Sequence, residues 1–191
     1  MRYALLAGFA LLLMHACRDR SPDELTTDER KNLFLPAITF VAAELDLIDS
    51  LPLAVLRYRT TKQGSDTGIV SKPVFRQLMQ AWFGKDFAEA PLHTDYRRKV
   101  FHDATIGRVT ITCDTEDPGA TFRRMDILMD PETDAIRSLY VEKVSETPEG
   151  KLVQKLYWSA GRQCRISKTP DGGQPPAADE AITYAWGADQ P

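Results

Sequence analysis

From Tyr96 to the C-terminus the period changes to two in separate runs at 97–102, 108–113, 121–129, 136–144, 152–158, 163–168 and 181–186, with Val109, Ile111 and Cys113 on the apolar parity of one and Cys164 and Ile166 on that of another. A period of two belongs to an extended strand with one buried face, because successive side chains point to opposite sides of a sheet. The breaks between runs carry turn residues, among them Asp117-Pro118-Gly119, Asp130-Pro131, Pro148-Glu149-Gly150, Ala160-Gly161 and Asp171-Gly172-Gly173. Connections this short join antiparallel neighbours. The C-terminal part of the chain is therefore expected to fold as a meander.

The preceding residues follow a different period. Thr26-Thr27-Asp28-Glu29 has the spacing of a capping box, and Phe34, Ile38, Val41, Leu45 and Ile48 then form one helical stripe. Pro36 implies either a kink or a true start near Leu35, and Leu51-Pro52 ends the helix. A strand is expected over 53–61, with Arg57 and Arg59 on one face and Leu56 and Tyr58 on the other, leaving through a turn or loop at 60–66. A second helix runs from Lys72 to Phe83, with Ser71 as its cap, Pro73 in its first turn and Gly84 as its stop. Val74, Phe75, Leu78, Met79, Trp82 and Phe83 make its broad apolar face. The expected fold class is α+β: two N-terminal helices packed on one face of a large, curved antiparallel β-sheet, a single domain over 27–188.

The N-terminus reads as an export segment. Arg2 precedes an apolar run from Tyr3 to Met14, and small Ala16 stands just before Cys17. Twelve apolar residues make a helix of about 18 Å, short of a hydrocarbon core of roughly 30 Å. Residues 1–16 are thus expected to leave as a signal peptide. The run Leu13-Met14-His15-Ala16-Cys17 resembles the lipobox of bacterial lipoproteins, with Met14 where that family usually has leucine. The resemblance implies that the Cys17 sulfur receives a diacylglycerol, so that membrane lipid is the chain's first partner. Two or more acyl chains hold a soluble domain stably where one does not. Arg18, in place of an inner-membrane-retaining aspartate, implies an outer-membrane rather than inner-membrane location in the bacterial envelope. The polar segment 18–26 would reach about 30 Å at most and keep the domain near its membrane.

Composition narrows the function further. With 24 basic and 27 acidic residues the chain is mildly acidic, which disfavours a nucleic-acid surface. Arg97-Arg98-Lys99, the densest basic cluster, reads as a solvated face or as edge protection. Cys113 and Cys164 either pair in an oxidising compartment or, as the intervening strands favour, remain separate buried thiols. His93 follows Pro91 in an expected loop, and His102 precedes Asp103 at a strand end, where adjacent side chains point to opposite faces. Asp114, Glu116 and Asp117, and likewise Asp130, Glu132 and Asp134, lack the ligand spacing of a calcium loop and read as turns. No nucleophile elbow, dinucleotide fingerprint or P-loop occurs, so no cofactor or metal is expected.

Residues Ile127 to Ile136 resemble the hairpin of PepSY-type envelope modules, in which Asp-Pro-x-Thr-Gly joins two strands; Asp134 stands at the glycine position. The plan of lipobox, tether, helices and meander is similar to envelope lipoproteins of the Bacteroidetes type. It is also similar, in outline, to periplasmic lipoprotein carriers, whose curved sheet holds acyl chains under helices. Three functions are expected to compete. The first is a non-catalytic binding or assembly module for an envelope protein partner. The second is a carrier or sensor of an apolar, lipid-like ligand, with Trp82, Phe83, Phe87, Trp158 and Trp186 lining its cavity. The third is a hydrolase with a dispersed site that includes His102 or His93. A hollow of several hundred cubic ångströms under the helices favours the carrier, and a filled interior favours the module.

Overall fold

The computed structural model describes residues 25–148, 150–171 and 180–187. The leader, Cys17 and the tether up to residue 24 lie outside the described residues. Two helices cover one face of a nine-stranded antiparallel sheet, an α+β architecture. A short helix α1 (Thr27–Lys31) is followed by α2 (Leu35–Ser50), and α3 (Lys72–His93) comes after the first hairpin. The strands are β1 (Val55–Thr61), β2 (Gly64–Val70), β3 (Arg97–Asp103), β4 (Arg108–Asp114), β5 (Phe122–Met129), β6 (Ile136–Thr147), β7 (Gly150–Ser159), β8 (Gln163–Pro170) and β9 (Glu180–Ala185). Their spatial order is β2-β1-β9-β8-β7-β6-β5-β4-β3. A meander from β3 to β9 is thus extended by β1, which pairs with β9, and by β2 at the rim.

The N-terminal capping box is formed in full. The Glu29 amide donates to Thr26 Oγ1 at 3.1 Å and the Thr26 amide donates to Glu29 Oε2 at 2.7 Å. Proline then forces a restart: α1 ends at Lys31, and α2 begins at Leu35 with Pro36 in its first turn, where a missing amide costs nothing. At Ser71 the structure corrects the expectation. The residue occupies the cap position of α3, but its hydroxyl makes no capping bond, and Pro73 has removed one of the amides such a cap would serve.

Two further corrections concern elements that bury little. The expected turn or loop at 60–66 narrows to a two-residue turn at Lys62-Gln63, with Thr60 and Thr61 in β1 and Gly64 to Asp66 in β2. Gly64-Ser65-Asp66-Thr67-Gly68 shows no apolar alternation because β2 is an edge strand, held by main-chain pairing to β1. Gly84 does break the second helix, at φ 63° and ψ −175°, yet the chain resumes helical winding and reaches His93. His93 is therefore the last residue of a helix, not part of a loop.

The core lies between the sheet and the helices and is built from rings. Phe34, Phe83, Phe87, Trp82 and Phe122 form one chain of contacts at 4.8–6.3 Å between centroids, and Phe75, Trp158, Trp186 and Tyr184 form another at 5.1–6.1 Å. Trp158 and Trp186 are fully buried. Glu44, alone among the acidic residues of α2, points into this core, where its Oε2 accepts from Trp158 Nε1 at 3.1 Å and from the Gly161 amide at 2.8 Å. The carboxylate thereby fastens α2 to the β7–β8 turn.

Candidate functional site

An apolar groove opens between the helices. α2 contributes Ile38, Val41, Ala42 and Leu45, and α3 contributes Met79, Phe83, Gly84, Phe87 and Ala88. The two helices run antiparallel, since Arg76 near the start of α3 meets Asp46 and Asp49 near the end of α2, while Phe34 meets Phe87 at the other end. Gly84 shapes the opening. Its backbone conformation is one that side chains rarely adopt, and an added Cβ would meet nothing within 4 Å. The break also frees the Trp82 carbonyl, which accepts from Lys143 Nζ at 2.7 Å, while that ammonium sits 5.5 Å and 5.4 Å from the centroids of Trp82 and Phe122. Burial of Lys143 holds its pKa below the ordinary lysine range.

The groove measures about 250 Å³. That is below the roughly 300–1,000 Å³ of pockets that enclose a small molecule, and suits one or two apolar side chains or a short alkyl segment. One end is polar. Arg76 donates to Asp46 Oδ1 at 2.8 Å and to Asp49 Oδ2 at 2.7 Å, and these hydrogen bonds raise its pKa further above the ordinary guanidinium value. Lys72 Nζ donates to the Asp49 carbonyl at 3.2 Å, so two carboxylates and two cations meet at that end.

Of the rings expected to line a carrier cavity, only Phe83 and Phe87 border the groove. Trp158 and Trp186 pack edge-on against each other at 5.5 Å in the core, and Trp82 donates from its indole to Gln154 Oε1 at 3.1 Å. These side chains pack against one another where that cavity was expected; a smaller opening of about 190 Å³, lined by Leu33, Pro36, Arg98, Ile111 and Ile127 among others, lies between the helical layer and the β3 end of the sheet.

The polar candidates are each occupied by local structure. His102 is exposed on β3, and Asp103 turns away to accept from the Thr105 amide at 2.9 Å, so it does not orient the imidazole. Asp114 pairs with Arg97 and Lys99, Glu116 pairs with Arg97, and Asp117 accepts from the Gly119 amide. Asp130 receives Arg137 at 2.8 Å and the Glu132 amide at 3.1 Å, which lowers its pKa below the usual carboxylate value. Asp134 adopts φ 55°, a left-handed conformation that glycine, and less often aspartate, takes up. Among the described residues no group of three or more metal-ligating side chains converges.

Cys113 on β4 and Cys164 on β8 are both free and buried. Four strand spacings separate them, roughly 19 Å and far beyond disulfide reach. Burial pushes the Cys113 thiol up to about 12 and raises Cys164 as well, so both behave as small apolar groups. The groove itself escaped sequence reading, although Asp46 and Asp49 share a helix face at i,i+3. Glu44 also left a signal, as a carboxylate inside the stripe between Val41 and Ile48.

No helix among the described residues is long and apolar enough to cross a membrane. No protein-family model matches the chain, and neither the curated proteins nor the solved structures include a match. Function is therefore read from the chain's own residues.

Proposed function

We propose that this chain is a lipid-anchored module of the bacterial envelope, tethered through acylated Cys17 and acting by binding a protein partner rather than by catalysis. The observation that carries the binding part is the contrast between a ring-filled interior and a small open groove on the helix layer. A carrier needs the space that Trp158, Trp186 and Phe75 occupy; a docking module needs only a slot for an anchoring side chain. The dispersed-site hydrolase draws no support from His93 and His102, which end α3 and lie on β3 respectively, each exposed to solvent.

Intact mass of membrane-extracted protein tests the anchor. The expected result is a diacylglycerol adduct that disappears in Cys17→Ala; an unmodified full-length polypeptide contradicts it. Native mass spectrometry of the same material separates module from carrier. A polypeptide free of noncovalent acyl species supports the module, whereas a stoichiometric fatty acid or phospholipid favours the carrier.

A further inference from the structure

Among the described residues the sheet ends in two edge strands, β2 and β3, each paired on one side, and they are built differently. An edge strand presents a row of unpaired amides and carbonyls, which proteins guard with charged side chains, as Arg97, Arg98 and Lys99 are placed to do here, or with proline, a bulge or a covering segment. β3 has no proline, its pairing to β4 runs unbroken from Arg97 opposite Asp114 to Asp103 opposite Arg108, and Arg97 to His102 are all exposed. It also exposes apolar side chains on both faces: Val100, on the helix-covered side, is 48% exposed, Phe101, on the open side, 64%, and Ile106 in the adjoining turn 58%.

We infer that β3 is a self-association edge, through which two copies of this chain pair antiparallel about a two-fold axis at Val100. The occupant follows from charge along the strand, Arg97-Arg98-Lys99-Val100-Phe101-His102-Asp103. In that register Val100 faces its own copy, Lys99 faces Phe101, Arg98 faces His102 and Arg97 faces Asp103. All seven residues pair, the helix-covered sides of the two sheets stay on the same side, and the strand ends match in charge. Centring on Lys99 sets lysine against lysine, which is destabilising across a strand pair. Centring on Phe101 drives Arg97 and Arg98 past the strand end.

Cationic repulsion is already reduced within each copy. Arg97 reaches Glu116 at 2.7 Å and Asp114 at 3.5 Å, and Lys99 reaches Asp114 at 3.0 Å. The opposite edge offers no such match. β2 reads Gly64-Ser65-Asp66-Thr67-Gly68-Ile69-Val70, its one charge is paired with Arg57, and self-pairing about Thr67 sets Asp66 against glycine. This association is independent of the groove between the helices.

A seven-residue strand pairing lies at the small end of specific interfaces, so the dimer should be concentration-dependent. Sedimentation equilibrium of the full chain in detergent tests it, beside the double variant Val100→Lys/Phe101→Lys and the control Ile69→Lys on β2. The expected result is a monomer–dimer equilibrium whose dissociation constant rises about tenfold or more in the double variant, equivalent to about 1.4 kcal/mol or more, and stays unchanged in the control. Amide exchange of the unaltered chain supplies a second readout that does not depend on the variants folding. Amides over 97–103 should slow as concentration rises, while those of β2 should not. A monomer at all concentrations, a dimer indifferent to the double variant, or concentration-dependent protection on β2 instead would overturn the inference.

Discussion

The two faces of the sheet share the same strands and differ in every other residue. On the helix-covered side one cross-strand row reads Tyr184, Cys164, Trp158, Leu139, Ile127, of which all five are buried. On the open side a neighbouring row reads Lys155, Glu142, Arg124, Asp114, Arg97, with charge alternating at each step. Its members are held by local partners, Lys155 to Glu142 at 3.9 Å, Arg124 to Asp126 at 2.8 Å and Arg97 to Asp114 at 3.5 Å. One face excludes water by packing rings; the other remains solvated and neutralises itself. Neither leaves an unclaimed polar constellation among the groups described above, and apolar surface is exposed instead in the groove between the helices and at the β3 edge.

The sharpest way to break this contrast is to remove a ring from each face. Trp158→Ala should cost about 3–5 kcal/mol in urea unfolding, because a filled core cannot collapse around so large a void. Its neighbour Tyr157, on the open face and 44% exposed, should lose well under half of that on replacement by alanine. Equal losses at the two positions would mean that the faces are not distinct.

A smaller effect is expected where a charge enters the covered side. Glu44→Ala should destabilise by about 1–3 kcal/mol, since it strands the Trp158 indole and the Gly161 amide without an acceptor. Glu44→Gln, which retains an acceptor oxygen, should recover much of this in the same unfolding assay. Gly84→Ala should cost about 1–2 kcal/mol through backbone strain alone, because open space surrounds the new methyl group. A melting temperature unchanged in that variant would show that α3 is not broken there.

The last and smallest effect concerns the ion pairs flanking the covered face. Lys168 and Arg59 hydrogen-bond Glu180 at 2.6 Å each and hold its carboxyl below the ordinary value of 4.5. A depressed carboxyl contributes stability that is present above its unfolded-state pKa and is lost as pH falls through the lower folded-state value. Unfolding free energy should therefore decline on acidification below about pH 4.5, and less so in Lys168→Met. Equal acid sensitivity in both proteins would remove this pair from the account.

The strands that bury a face were legible because burial imposes alternation, and Cys113, Cys164 and Ile166 are buried on the parity expected of them. What was not legible buries little or depends on contacts distant in sequence. β2 has no apolar period, and the helical segment after Gly84 offers Phe87 as its one large apolar marker before Leu92, beside Ala88, Ala90 and Pro91. The pairing of β9 with β1 joins residues more than a hundred positions apart, such as Arg59 and Glu180, and no local pattern announces it. The groove is a gap between two amphipathic helices, and each helix alone reads simply as a packing face.

The central claim is that the free apolar surface between α2 and α3, and not the interior, meets the partner. A photoreactive side chain placed at Ala42, which lines the groove, and in a separate chain at Tyr157 on the open face, tests this in intact envelopes. The account predicts a discrete protein adduct from position 42 and none from position 157. Lipid adducts alone at 42, or a protein adduct confined to 157, would contradict it.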